Sequence, residues 1–299
     1  MSSLPIRWGV LGGSSHIFRK SLRPAMLAAG HTIVAEPSRE GESLAPYSAM
    51  LARPDIDAVY NPLPNHLHAE WTHRALDAGK HVLCEKPLTL SPSDTAAVFE
   101  HAAAAGLTVL EAYMWPHHPR AARLLQLAGG GELGWLQHGT ASFSWPMDLA
   151  GGDHRLDLRG AGALFDVGIY CIAPFMLMAR RDAVAVGANA VRNTAGVDIA
   201  MTGWVDWGGG FGSSFGVSFD APSHRSMGLA ASEAIVGRIR AVSRRTSRAK
   251  PTRTSRSHTT FAGVALAYRP VGRLGGTVEP GRTSDHHQHR PPRPHRRRP

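Results

Sequence analysis

Residues 57–90, DAVYNPLPNHLHAEWTHRALDAGKHVLCEKPLTL, constrain the fold of this chain more than any other stretch. Ala58, Val59 and Tyr60 form a short apolar run stopped by Asn61-Pro62. Leu67, Trp71, Ala75 and Ala78 then recur at helical spacing, which predicts an amphipathic helix. Asn65 stands at the expected N-cap and Gly79 where the helix should stop. His81–Cys84 is a second apolar run, followed at once by Glu85-Lys86-Pro87. Strand, crossover helix and strand make a βαβ unit with parallel strands.

Ligands of open parallel sheets sit beyond the carboxyl ends of the strands. Both loops predicted at that edge are polar: Asn61, Asn65 and His66 in one, Glu85 and Lys86 in the other. Pro87 keeps Lys86 out of helical backbone, so Lys86 belongs to an extended loop. Glu-Lys-Pro after such a strand, preceded by Asn-Pro-x-x-Asn-His, resembles the Gfo/Idh/MocA family of NAD(P)-dependent oxidoreductases. By eye the resemblance spans roughly residues 5–230. It implies an α/β fold: an N-terminal Rossmann-like parallel sheet, then a C-terminal α+β open-sheet domain.

Ile6–Leu11 predicts the first strand and Gly12–His16 a turn into a helix, suited to a pyrophosphate. A G-x-G-x-x-G pattern is incomplete. Gly12 can serve as the first glycine, Ser14 takes the second place, and the third falls near Ile17 or Phe18, whose bulk should spread helix from strand. Pro24 should kink that helix or delay its start. Thr32–Ala35 is the second strand, and Ser38-Arg39 just after it matches relatives that use NADP. An arginine there suits a 2′-phosphate, whereas an acid would suit the ribose hydroxyl of NAD; NADP is preferred and NAD remains open. Between Ala35 and Asp55 there is room for little beyond a short helix at Tyr47–Ala52, so one βα segment should be missing. Ser91-Pro92-Ser93-Asp94 starts a helix ending at Gly106. Leu107–Leu110 is the next strand, and the resemblance implies that the segment from Glu111 helps hold the nicotinamide. His117 and His118 have no third partner at ligand spacing and read as the start of a helix, so no metal is expected.

In the second part, Pro119–Leu127 reads as a helix, Trp135–Trp145 as a long strand, and Ile199–Trp207 with Phe211–Phe219 as a hairpin across three glycines. Asp153 and His154 read as a surface loop. A helix from Asp166 to about Ala179 is apolar nearly all round and must be buried, so Asp166 and Tyr170, four apart at its start, need polar partners or a ligand. Asp-x-Gly-x-Tyr resembles the glucose–fructose oxidoreductase, dihydrodiol dehydrogenase and xylose dehydrogenase branch. The resemblance implies hydride transfer between nicotinamide and a small-molecule sugar, secondary alcohol or diol. Tyr170 or Lys86 would carry the proton, with the Lys86 charge lowering the tyrosine pKa, and Asp166 would orient a substrate hydroxyl. Asn61, Asn65, His66, Glu85 and Glu111 join Gly12, Ser14, Ser38, Arg39 and Lys86 as expected cofactor contacts. A competing reading is a catalytically impaired remnant of the family, given the altered turn and missing segment.

The net charge of +10 is unevenly placed. Residues 238–299 carry 16 of the 33 Lys/Arg but only Glu279 and Asp285 of the 23 acids, so the body is mildly acidic. Domains are therefore drawn at 1–116 (dinucleotide-binding), 117–237 (substrate and sheet) and 238–299 (a basic tail expected to be disordered). The tail's composition reads as a shifted reading frame, with nucleic-acid binding the weaker alternative. Loss of the family's last strands would truncate the second sheet and weaken any homo-oligomer built on it. Two cysteines, Cys84 and Cys171, no apolar run of membrane-span length and an N-terminus unlike a signal peptide point to the cytoplasm.

Overall fold

Short apolar runs that must be covered on both faces become the strands of a parallel sheet. In the computed structural model, which describes residues 4–239 apart from 40, 42, 158 and 161, these strands are β1 (Arg7–Val10), β2 (Thr32–Ala35), β3 (Ala58–Asn61), β4 (His81–Cys84) and β5 (Val109–Glu111). They lie all parallel in the order β2-β1-β3-β4-β5. The helices between them are α1 (Arg23–Ala28), α2 (Ala45–Leu51), α3 (His68–Asp77) and α4 (Pro92–Ala105). Trp71, Ala75 and Leu76 of α3 join Val59, Val82 and Cys84 in one core, as the helical spacing requires. Only α2 stands between β2 and β3, and β3 pairs with β1 on the side away from β2. The expected loss of a βα segment is therefore present, and no described strand lies outside β2.

Local signals account for most helix ends. Ser91 Oγ accepts from the Asp94 amide at 3.1 Å, and α4 stops at left-handed Gly106. Asn65 departs from expectation: α3 is preceded by a 3₁₀ turn at Asn65–Leu67, and the Asn65 side chain caps nothing. Phe18, near the bulky third position of the glycine turn, opens a π-helical turn, Phe18–Leu22. Phe18 is fully buried against Tyr60, and Pro24 follows in the first turn of α1.

Gly12 is left-handed, with φ of 77°, and a methyl built on Gly13 would overlap the Glu36 carbonyl. Gly13→Ala must push the β2 loop away. We expect a loss of about 1–3 kcal/mol, typical of overpacking, read from the urea midpoint.

The second layer begins with α5 (Pro119–Gly129), whose N-cap is His118. Then come β6 (Leu136–Ser144), α6 (Ile169–Ala179), β7 (Ala185–Arg192), β8 (Asp198–Asp206), β9 (Gly212–Ser218), β10 (His224–Ala231) and β11 (Ile235–Ile239). The sheet order is β11-β10-β6-β9-β8-β7, with β6 and β9 parallel and the other pairs antiparallel. Phe175 and Met178 of α6 pack on Ala141, Phe215, Val217 and Leu229, so α6 covers one face. β7, β10 and β11 were not foreseen; the residues of β7 are exposed almost throughout, which removes the alternation that marks a strand. β11 carries the sheet to Ile239, and the tail beyond it lies outside the described residues.

Burial makes the folded state sensitive to alkali. It pushes the Cys84 thiol above its ordinary 9.0, the Cys171 thiol to about 12, and the phenols of Tyr60, Tyr113 and Tyr170 above 10.0. These groups hold protons more tightly folded than unfolded. Their contribution is complete below the unfolded values and is lost as pH rises past them. The melting temperature should be level to about pH 8.5 and fall between roughly pH 9 and 11. A level profile through pH 11 would contradict this.

Candidate active site

The loops after β3 and β4 are locked together by a residue that spacing marked only as part of the helix. His68 is fully buried, with Nδ1 2.7 Å from the Pro87 carbonyl and Nε2 2.6 Å from the Leu63 carbonyl. Burial holds this imidazole below its ordinary pKa, against the pull of the two carbonyls. Asn61, also fully buried, donates to the His68 carbonyl at 3.2 Å and accepts from the Leu63 amide at 3.3 Å. Glu111 accepts from the Leu88 amide at 2.8 Å. Glu85 accepts from the Tyr60 hydroxyl at 2.7 Å, and burial raises its pKa. Asn61, Glu85 and Glu111, expected at the cofactor, thus have their side chains engaged within the loops; they shape the sheet edge and set the position of Lys86.

Lys86 reaches across to the second layer. Its ammonium donates to the Asp166 carboxylate at 2.8 Å and to the Asp166 carbonyl at 2.6 Å, and lies 5.7 Å from the centre of the Tyr170 ring. Both Lys86 and Asp166 are largely shielded, with side-chain exposures of 15% and 16%. Asp166 sits in a π-helical turn, Leu164–Gly168, that leads into α6. Buried Asp198 anchors this turn by accepting from the Leu164 amide at 2.7 Å. Left-handed Gly162 passes so close to Asp198 that a side chain there would overlap it. Tyr170 packs against Tyr113 and Phe143, with ring centres 5.5 and 5.7 Å away.

Asp166 is paired with cations on both of its oxygens. One of its oxygens faces Lys86, and the other lies 3.5 Å from Arg155. The ion pairs tie the carboxylate to the Lys86 ammonium on one side and to the Arg155 guanidinium on the other. Arg155 is gripped in turn by Asp153, at 2.6 and 2.9 Å, and stacks over Trp145. Its guanidinium holds the Asp153 carboxyl down at about 2. Asp153 is therefore part of a charge chain, Lys86–Asp166–Arg155–Asp153, and not an idle surface residue. Sequence reading missed Arg155; the available signal was a basic residue between Asp153 and the Gly162 turn.

The expected pKa of Tyr170 is overturned. Burial, with Glu85 and Asp166 adding to it, raises the phenol above its ordinary value. At neutral pH it is a proton donor, not a ready base.

At the other end of the edge, a cleft of about 380 Å3 is lined by Arg39, Leu44, Pro64, His66, Leu67, His154 and Arg159. Gly12, Ser14 and Ser38 stand at the glycine turn, where the backbone amides of the turn are already bonded within it. The Gly12 and Gly13 amides donate to the Pro37 carbonyl, and the Ser14 amide to Ser38 Oγ at 3.0 Å. Asn65 donates to the Gly160 carbonyl at 2.9 Å and so fastens the two layers together. The described residues contain no cluster of three metal-ligating side chains. No described helix is long and apolar enough to cross a membrane. Two guanidinium and two imidazole groups around one cleft suit a polyanion such as a dinucleotide, held by side chains more than by the glycine turn.

Comparison with known proteins agrees with this architecture. Residues 15–113 match the model of an oxidoreductase family with an NAD-binding Rossmann fold, and residues 121–240 match the GFO/IDH/MocA C-terminal domain. The chain belongs to the Gfo/Idh/MocA family. It is 38% identical over 231 residues to D-xylose 1-dehydrogenase (NADP(+)) 2 of Haloferax volcanii, covering 72% of this chain and 70% of that one. It is 44% identical over 181 residues to dTDP-3,4-didehydro-2,6-dideoxy-alpha-D-glucose 3-reductase of Saccharopolyspora spinosa. That match covers 56% of this chain and 54% of the reductase, so the chain spans about half of the latter's length. A 3-ketoreductase from Actinomadura kijaniata, solved with TDP-benzene and NADP, superposes with a TM-score of 0.69 at 31% identity, covering 76% of this chain and 74% of that one. In this Gfo/Idh/MocA chain the N-terminal layer is the NAD-binding Rossmann domain of the family.

Proposed function

We propose that the chain is an NADP-preferring oxidoreductase that interconverts a sugar hydroxyl and the corresponding carbonyl. The observation that carries this reading is the meeting of Lys86, from the first sheet's edge, with Asp166 and Tyr170, from the second layer. Membership of an oxidoreductase family supports the reaction class. Sugar-acting relatives of two kinds, a xylose dehydrogenase and dTDP-sugar reductases, support the substrate class. Ser38-Arg39 supports NADP, because an arginine after β2 can pair with a 2′-phosphate.

The bound nicotinamide would supply or accept the hydride. The protein's own part concerns the oxygen. In the reducing direction the carbonyl oxygen gains charge as its carbon gains hydride. Tyr170, held protonated, donates the proton, and the Lys86 ammonium stabilises the developing negative charge. Asp166, paired in turn with Arg155, would hold that ammonium beside the Tyr170 ring.

The test has two parts. Titration of the chain with NADPH, followed by cofactor fluorescence, should show saturable binding. A panel of free pentoses, hexoses and nucleoside-diphosphate ketosugars should then reveal turnover at 340 nm, the absorbance of the reduced nicotinamide. Absence of NADPH binding would sink the reading. Binding without turnover on any member would favour an impaired family remnant.

A further inference from the structure

The cationic cleft has walls from both layers. Arg39 and Leu44 come from the short connection between β2 and α2, where the βα segment is missing. Facing them are His154 and Arg159, from the loop between β6 and α6. We infer that Arg159, with His154 beside it, forms a second cationic wall of the cofactor's phosphate site and acts with Arg39 across the cleft. This rests on the dinucleotide reading above and adds to it a binding residue from the other layer.

Three observations carry the inference. First, the amides of Gly12, Gly13 and Ser14 are already bonded to Pro37 and Ser38. Those three amides are not free for a phosphate, and the cleft's lining brings Arg39 and Arg159 together with His66 and His154. Second, the backbone of the loop is held in place over the first sheet. The His66 amide donates to the Arg159 carbonyl at 3.1 Å, Asn65 donates to Gly160 at 2.9 Å, and Asn193 donates to Leu156 at 2.7 Å. Third, the guanidinium is oriented. Asp157 accepts from the Arg159 amide at 2.8 Å, from Nε at 2.9 Å and from Nη2, which leaves Nη1 outside this pairing. The two acids flanking these residues are paired: Asp157 is on Arg159, and Asp153 is on Arg155 with His154 at 3.5 Å. None of the cleft's lining residues is acidic.

The experiment measures dissociation constants of NADPH and NADH by cofactor fluorescence for the full chain and for Arg159→Ala, Arg159→Glu and Arg39→Ala. The Arg159 side chain is 61% exposed, so these variants should fold, and a thermal melt verifies it. Arg159→Ala should weaken NADPH by about fivefold or more, the scale of one charge-assisted phosphate contact. Arg159→Glu should weaken it further, an ordering that a merely structural role would not produce. A larger loss for NADPH than for NADH assigns Arg159 to the 2′-phosphate, and equal losses assign it to the pyrophosphate. If both Arg159 variants bind both cofactors as the parent does, the inference is overturned while the proposed function stands. If the parent itself binds neither cofactor, the reading beneath it fails instead.

Discussion

Lys86→Met should lower kcat by about a thousandfold or more while leaving NADPH affinity within roughly threefold. Methionine keeps the length and most of the volume of the stem and removes only the charge. In the parent, that charge sits between the Asp166 carboxylate at 2.8 Å and the face of Tyr170 at 5.7 Å. In the proposed reaction it stands where oxygen charge would develop, and it is well shielded from water, so the expected electrostatic effect is large. NADPH affinity should survive because the cationic cleft that suits the dinucleotide is lined by other residues. Asp166 keeps Arg155 at 3.5 Å, so the variant does not strand an unpaired carboxylate. Retained turnover in a folded Lys86→Met protein would remove Lys86 from the reaction.

Tyr170→Phe should cost about a hundredfold or more in the reducing direction, the ordinary scale for loss of a positioned proton donor. Its packing on Tyr113 and Phe143 needs only the ring, so stability should change little. The pH profile separates this role from a structural one. Because burial and the neighbouring carboxylates hold the phenol above 10.0, it remains a donor throughout the neutral range. Reductive kcat/KM should therefore show no decline from phenol ionisation until pH exceeds about 10, and that limb should vanish in the Phe variant. A decline centred near pH 7–8 that persists in Tyr170→Phe would assign the proton to another group.

The two predictions rest on different kinds of legibility. The βα unit around α3 could be read directly, because helical spacing of Leu67, Trp71 and Ala75 and a buried apolar run before Lys86 are local signals. The missing segment was equally plain, since a gap of some twenty residues has no room for a further strand. Roles of individual side chains were less legible. Asn65 carries the residue type of an N-cap, yet it bonds to Gly160, ninety-five positions away. Glu85 and Glu111 lie on the loops expected to meet a ligand, but tertiary contacts engage them with Tyr60 and Leu88. Arg155 carried only the weak signal of a basic residue before the Gly162 turn, and Asp198 carried no pattern. Their importance arises from what the fold brings beside them.

By itself the sequence determined the layers, most strands and helices, the family, and the identity of Lys86 and Tyr170 as a pair to watch. These follow from periodicity, caps and short motifs, which act over a few residues. Only the tertiary structure decided that Asp166 holds Lys86 instead of standing free, that Tyr170 is a reluctant acid, and that Arg159 and Arg39 line one cleft. Each of those depends on burial and on charges from distant segments meeting in one place, and free energies of that kind have no signature in the order of neighbouring residues.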